Sequence, residues 1–180
     1  MSKLEEKINE YRLEEPILSI LKQISKIKID NTILQELKTY RVFDKQNDIK
    51  YVRGPEDFDV ILEIFDTIQR MKDRVCDITL TFMSINYDLA RFYNIAKNHL
   101  WLKSEMMELK NDPQRYVTIS KTIPEVEERQ EIIKLILESA EVIVRNLNMT
   151  YNVAKEQSVA VQQKMYHRSL TDTKIEKVRS

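Results

Sequence analysis

The chain has 180 residues with 29 basic and 29 acidic side chains, one glycine, four prolines and one cysteine. So little glycine excludes the phosphate-cradling loops and the nucleophile elbow, which need several at fixed spacing, and it argues against a strand-rich fold. A formal net charge of zero excludes a chain-wide basic footprint for nucleic acid, and the lone Cys76 excludes a disulfide within this sequence and fits a reducing compartment.

Charged residues make up 32% and aromatics 8%, with abundant Ile, Leu, Glu and Lys, a composition of long amphipathic helices. The start, "MSKLEEKINEYR", is polar and carries both charges, unlike a signal peptide. No apolar run approaches the ~18 residues of a membrane span. The expectation is a soluble, cytoplasmic protein with no membrane partner (host-cell cytoplasm if viral).

In chain order, "SKLEEKINEYRL" predicts a short amphipathic helix with Leu4, Ile8 and Tyr11 on one side. "EEPILSILKQISKIKI" restarts at Pro16, whose missing N–H costs nothing in a first turn. Ile17, Ile20, Leu21, Ile24 and Ile27 then recur at helical spacing. In "DNTILQELKTY", Asp30 or Asn31 serves as the N-cap of a third helix. "YRVFDKQNDIKYVRG" predicts a β-hairpin, two short runs rich in Tyr, Val, Phe and Ile around a polar turn. Gly54-Pro55 then reads as a joint: the glycine relaxes the backbone and the proline fixes φ for a first helical turn.

The clearest pattern follows. Ile61, Ile64, Ile68, Met71, Val75, Ile78, Phe82, Ile85, Leu89, Phe92 and Ala96 keep 3-4 spacing over about five heptads. The register fails at His99 and Lys103 and resumes through Leu100 and Met107, a stutter. The expected helix runs from Pro55 to Asn111 and stops at Asn111 and Pro113. "RYVTIS" (115–120) alternates like a strand and is placed beside the hairpin. Thr122 and Glu125 then form a capping box for a second long helix. Ile133, Leu137, Ala140, Val144, Leu147, Tyr151, Ala154 and Val161 form its stripe, widened by Ile136 and Ile143.

The resulting fold class is mainly α: a long antiparallel, coiled-coil-like helical hairpin with short N-terminal helices and a small β-hairpin. Its domains are 1–54 (short helices plus hairpin), 55–166 (long helical hairpin) and 167–180 (flexible tail). One partner helix covers one stripe, so the stripe Ile61, Ile64, Ile68, Val75, Ile78, Phe82, Ile85, Leu89 and Phe92 and its apolar flanks predict a homo-oligomer as well as a core.

No catalytic constellation is present. His99 and His167 stand alone, and the Glu-x-x-His pairs of a di-metal bundle are missing. The chain therefore reads as a non-enzyme without cofactor or metal. Acid at Glu125, Glu127, Glu128 and Glu131 suits a helix start. Cys76 reads as a small packed residue. Trp101 reads as packing, with a base-stacking surface as the alternative.

The hairpin interleaves cations and rings: Lys38, Tyr40, Arg41, Phe43, Lys50, Tyr51 and Arg53. From Ile17 to Arg53 there are eight basic and four acidic side chains. Arg115, Tyr116 and Lys121 join this patch if "RYVTIS" is a neighbouring strand. Single-stranded nucleic acid binding needs this mixture, cations for phosphates and flat rings for bases. An ordinary small sheet with packed aromatics is the competing reading.

The stretch "SKTIPEVEERQEIIKLILESAEVIVRNLNMTYNVAKEQ" resembles the C-terminal half of phage recombination mediators of the UvsY type, and "INYDLARFYNIAKNHLWLK" resembles that family's first long helix. The resemblance covers residues 60–160. The link between the long helices lacks that family's glycine; Lys110, Arg115, Tyr116 and Lys121 stand there. It implies an oligomeric, non-enzymatic protein that holds single-stranded DNA and loads a recombinase in place of a single-strand-binding protein. The rival expectation is a phage structural or scaffold protein that oligomerises through coiled coil with no nucleic-acid role.

Overall fold

The computed structural model describes residues 3–43, 49, 58–109 and 111–179. Seven helices are found among them, in the order α1 (Lys3–Leu13), α2 (Ile17–Lys26), α3 (Asn31–Arg41), α4 (Phe58–Trp101), α5 (Ser104–Met107), α6 (Asp112–Thr122) and α7 (Pro124–Arg179). No strand occurs among the described residues. The mainly α expectation holds, and the two long helices pack together.

The chain divides into two compact units. The first comprises Met1–Ile33 and Thr79–Glu138, the second Leu34–Ile78 and Ser139–Ser180. The second half of α4 thus shares a unit with the start of α7, and the first half of α4 with the remainder of α7. That pairing is the antiparallel order.

In the first unit, Ile17, Ile20 and Ile24 of α2 are buried at 3-4 spacing, and Tyr11 of α1 is 3% exposed. Phe82, Leu89, Phe92, Ala96 and Leu100 of α4 are buried in the same unit, as are Ile119, Ile123, Val126, Ile133 and Ile136. Polar contacts fasten the layers. Arg12 donates to the Thr122 carbonyl at 2.8 Å and forms a two-pronged ion pair with Glu125. Arg129 donates to the Ile27 carbonyl. Glu14 accepts from Lys103 and lies 3.1 Å from His99 Nε2.

In the second unit, Ile61, Ile64, Ile68, Val75 and Ile78 are buried, with Leu37, Ile49, Ala140, Ile143, Leu147, Ala154 and Val161. The Phe65 and Tyr151 rings meet at 4.9 Å. Arg74 pairs with Glu36 through bonds of 2.9 and 3.0 Å, and Tyr40 donates to the same carboxylate at 2.6 Å.

Six expectations change. The first strand of the hairpin does not form, because α3 continues through Lys38 and Tyr40 to Arg41. Asp30 accepts from Thr32 N at its start, Leu37 is buried, and Tyr40 bonds to Glu36 one turn back. Helical side-chain pairing and the burial of Leu37 override the β preference of Tyr40. The second strand and the Gly54-Pro55 joint lie outside the described residues.

"RYVTIS" is likewise helical, within α6. Asn111 caps it by accepting from Gln114 N at 3.1 Å, and Pro113 occupies the first turn. Thr118 and Thr122 bond back to the carbonyls four residues earlier, and Thr118, Ile119, Thr122 and Ile123 are the buried positions. The segment therefore follows a period near 3.6, not 2.

The first long helix ends at Trp101 instead of Asn111. At the slipped register Lys103 is extended (φ −73, ψ 140), and the short α5 follows. Met106 is buried there and Met107 is 60% exposed.

The seam of α7 is rotated from the expected one. The buried column is Ile133, Ile136, Ala140, Ile143, Leu147, Thr150, Ala154 and Val161, while Tyr151 is 39% exposed. Adjacent apolar pairs at 136/137 and 143/144 leave two registers equally apolar. The column actually buried takes in Thr150, whose hydroxyl is satisfied by the Asn146 carbonyl at 3.1 Å.

Cys76 is exposed instead of packed, and α7 continues through the segment read as a tail to Arg179.

The carboxylates of these ion pairs carry a pH dependence. Lys103 bonding holds Glu14 below the ordinary carboxylate range, and Arg74 bonding does so for Glu36. Burial pushes Glu125 up, but its bonds to Arg12 and the α7 backbone outweigh that and leave it lowered. Lowered carboxylate pKa values stabilise the fold above the unfolded-state value, and this is lost as pH falls through the folded values. Arg12→Ala is expected to cost about 2 kcal/mol at pH 7, from lost charge-assisted hydrogen bonds. In urea melts at pH 7 and pH 3, the gap between wild type and Arg12→Ala should shrink at the lower pH.

Candidate nucleic-acid interface

The end of α4 and the start of α6 carry the aromatic and cationic side chains that meet most closely. Lys97 and Trp101 are four residues apart, one helical turn, on α4. The capped first turn of α6 brings Arg115 and Tyr116 against them. The Trp101 and Tyr116 rings lie 5.5 Å apart at 58°. Lys97 Nζ stands 5.5 Å from the Trp101 ring centre and 4.9 Å from that of Tyr116, and it donates to the Tyr116 hydroxyl at 3.2 Å. The Arg115 guanidinium sits 5.3 Å from the Trp101 ring centre.

Arg115 is also an organiser of the loop. It donates to the Met107 and Leu109 carbonyls at 3.4 Å and pairs with Asp112 at 3.3 Å. Tyr116 is 41% exposed, Trp101 half-buried. Each cation–ring contact contributes about 0.5–1 kcal/mol at such exposure. The cluster thus holds two flat rings in fixed orientation with two positive charges beside them. That arrangement suits a base against a ring and a phosphate against a cation. Beside the start of α6, Leu109, Asn111, Pro113, Gln114, Val117 and Thr118 line an open, mostly apolar hollow of about 460 Å³.

Of the sequence-predicted site residues, Arg115 and Tyr116 meet in this cluster. Lys121 is exposed in the last turn of α6, outside it. Lys38 and Arg41 are exposed on α3 in the second unit, and Phe43, just beyond α3, is half-buried. Tyr40 is committed to Glu36. Its burial and that hydrogen bond push its hydroxyl up to about 12, so it acts as a fixed neutral donor. Lys50, Tyr51 and Arg53 lie outside the described residues. Of the stripe residues, Ile61, Ile64, Ile68, Val75, Ile78, Phe82, Leu89 and Phe92 are buried within the chain itself and Ile85 is half-buried.

The sequence pattern did not single out Lys97, and it gave Trp101 packing as its first role with a base-stacking surface as the alternative. The i, i+4 spacing of Lys97 and Trp101 was the available signal. Among the described residues no group of three or more His, Cys, Asp or Glu side chains is placed to hold a metal, and no helix is long and apolar enough to cross a membrane. Compared with known proteins, the chain matches no family model, no curated protein and no solved structure.

Proposed function

We propose that this chain is a non-enzymatic, oligomeric helical adaptor that binds single-stranded DNA. The observation that carries the reading is the Lys97–Trp101–Arg115–Tyr116 cluster, two rings and two cations held together by short contacts. One such patch binds weakly. An oligomer presents several, and a strand that engages one meets the next at high effective concentration. The resemblance to recombination mediators supplies the finer role, loading of a recombinase in place of a single-strand-binding protein.

Leu80, Met83 and Tyr87 support the oligomer. They follow 3-4 spacing on α4 and are 61%, 55% and 72% exposed, an apolar stripe that its own unit leaves uncovered. The same stripe favours a second reading, an assembly or scaffold component with no nucleic-acid role.

Fluorescence anisotropy of a labelled oligo(dT) over roughly 50–200 mM salt tests the proposal. Binding at low salt that weakens steadily with salt is expected. No binding at low salt sinks the DNA-binding reading, and a multimer by light scattering would then leave the assembly reading standing.

A further inference from the structure

Beyond Val161, α7 changes character. Along its buried column in the second unit, Ala140, Ile143, Leu147, Thr150 and Ala154 step by three and four, and Val161 follows seven residues on, past half-buried Gln157 and Ser158. The next two steps of the same column fall on Lys164 and Arg168, and every residue from 162 to 171 is exposed. The helix therefore carries its packing face out of the core and turns it cationic.

The charge around these two residues is one-sided. No acidic residue lies between Gln157 and Thr171, and none lies within four positions of Lys164. Elsewhere on α7, two cations have acidic partners one turn away, Lys134 with Glu138 and Arg145 with Glu141. Arg168 has Asp172 four residues on. Over 162–179 the sequence holds Lys164, Arg168, Lys174, Lys177 and Arg179 against Asp172 and Glu176, three more positive than negative in a chain of zero net charge. Like charges four apart on an exposed helix destabilise it, so an anionic occupant would stabilise this segment.

We infer that the α7 extension, through Lys164 and Arg168, is a binding arm for the phosphate backbone of a nucleic acid strand. Two alternatives fit less well. A helix from a second copy would have to pack on a seam occupied by two cations, which a coiled coil disfavours. An anionic membrane needs one continuous apolar face. Met165, Tyr166 and Leu170 are the exposed large apolar side chains there, but at about 3.6 residues per turn Gln162 and Ser169 fall between Met165 and Tyr166 around the helix, which breaks such a face. The inference rests on the single-stranded DNA reading above and adds a second contact to it.

The test uses the full chain and a dT40 oligonucleotide with two readouts, Trp101 fluorescence and the slope of log K against log salt. In Lys164→Gln/Arg168→Gln, dT40 should still change Trp101 fluorescence, while the slope falls by about 1.4, since each phosphate contact on a single strand contributes about 0.7. The charge-preserving Lys164→Arg/Arg168→Lys should keep the wild-type slope. Helicity by circular dichroism identifies a variant that fails to fold, and the single changes Lys164→Gln and Arg168→Gln then replace it, each expected to lower the slope by about 0.7. Binding of dT40 with an unchanged slope overturns the arm alone. An unchanged slope with binding to phosphatidylserine vesicles lost in the variant assigns the cations to a membrane and also overturns it. Absence of any dT40 binding by the wild type overturns the DNA-binding reading and the arm together.

Discussion

Phe82→Ala is expected to lower the unfolding free energy by about 3–5 kcal/mol, with little effect on the aromatic cluster itself. Phe82 is 2% exposed and among the largest fully buried side chains. It sits in the first unit, whose core draws on several separate helices. Truncation loses the transfer energy of the ring and leaves a cavity that those helices cannot all close at once. A domain of this kind has only about 5–15 kcal/mol of net stability, so the loss is a large share. Urea denaturation followed by circular dichroism measures it. A shift below about 1 kcal/mol would show that Phe82 is not packed as described.

Trp101→Ala is expected to weaken oligo(dT) binding by about 1–3 kcal/mol, roughly 5- to 150-fold, the cost of one lost base stack. Tyr116→Ala should act in the same direction. Both rings are partly exposed, so the changes should leave far-ultraviolet circular dichroism nearly intact. Trp101 is the chain's single tryptophan, and Trp101→Phe keeps a flat ring. If stacking is what matters, Trp101→Phe should retain most of the affinity that Trp101→Ala loses. Lys97→Gln should act differently, by lowering affinity chiefly at low salt, because it removes a phosphate contact and not a ring. Equal affinity for wild type and Trp101→Ala would remove the cluster from the proposed interface.

The long heptad stripe of α4 was legible because one period persisted over many turns, and Ile61, Ile64, Ile68, Val75 and Ile78 are buried where that period puts them. The failures occurred where two signals overlap. Asn111 and Pro113 were read as the end of a helix, although the same two residues cap and open α6. "RYVTIS" alternates over six residues, yet Thr118, Ile119 and Thr122 also fit a helical face, and short runs do not separate the two periods. On α7, neighbouring apolar residues at 136/137 and 143/144 made two seams equivalent in sequence. Packing chose the one containing Thr150, which a hydrophobic pattern rejects.

The candidate site was half legible. Arg115 and Tyr116 were named from their residue types but placed on a strand beside a hairpin, whereas they lie on helix α6. Their observed neighbours, Lys97 and Trp101, come from the end of α4. That proximity depends on α4 stopping at Trp101 and on the chain turning through α5 into α6. The register slip marked the break, but nothing in the spacing showed which way the chain turned afterwards.

Trp101 makes the central claim directly measurable, since its emission reports on the cluster without a label. On titration of the full chain with dT40 at low salt, a saturable change in Trp101 emission that added salt reverses is expected. Emission unchanged at saturating dT40 would contradict it.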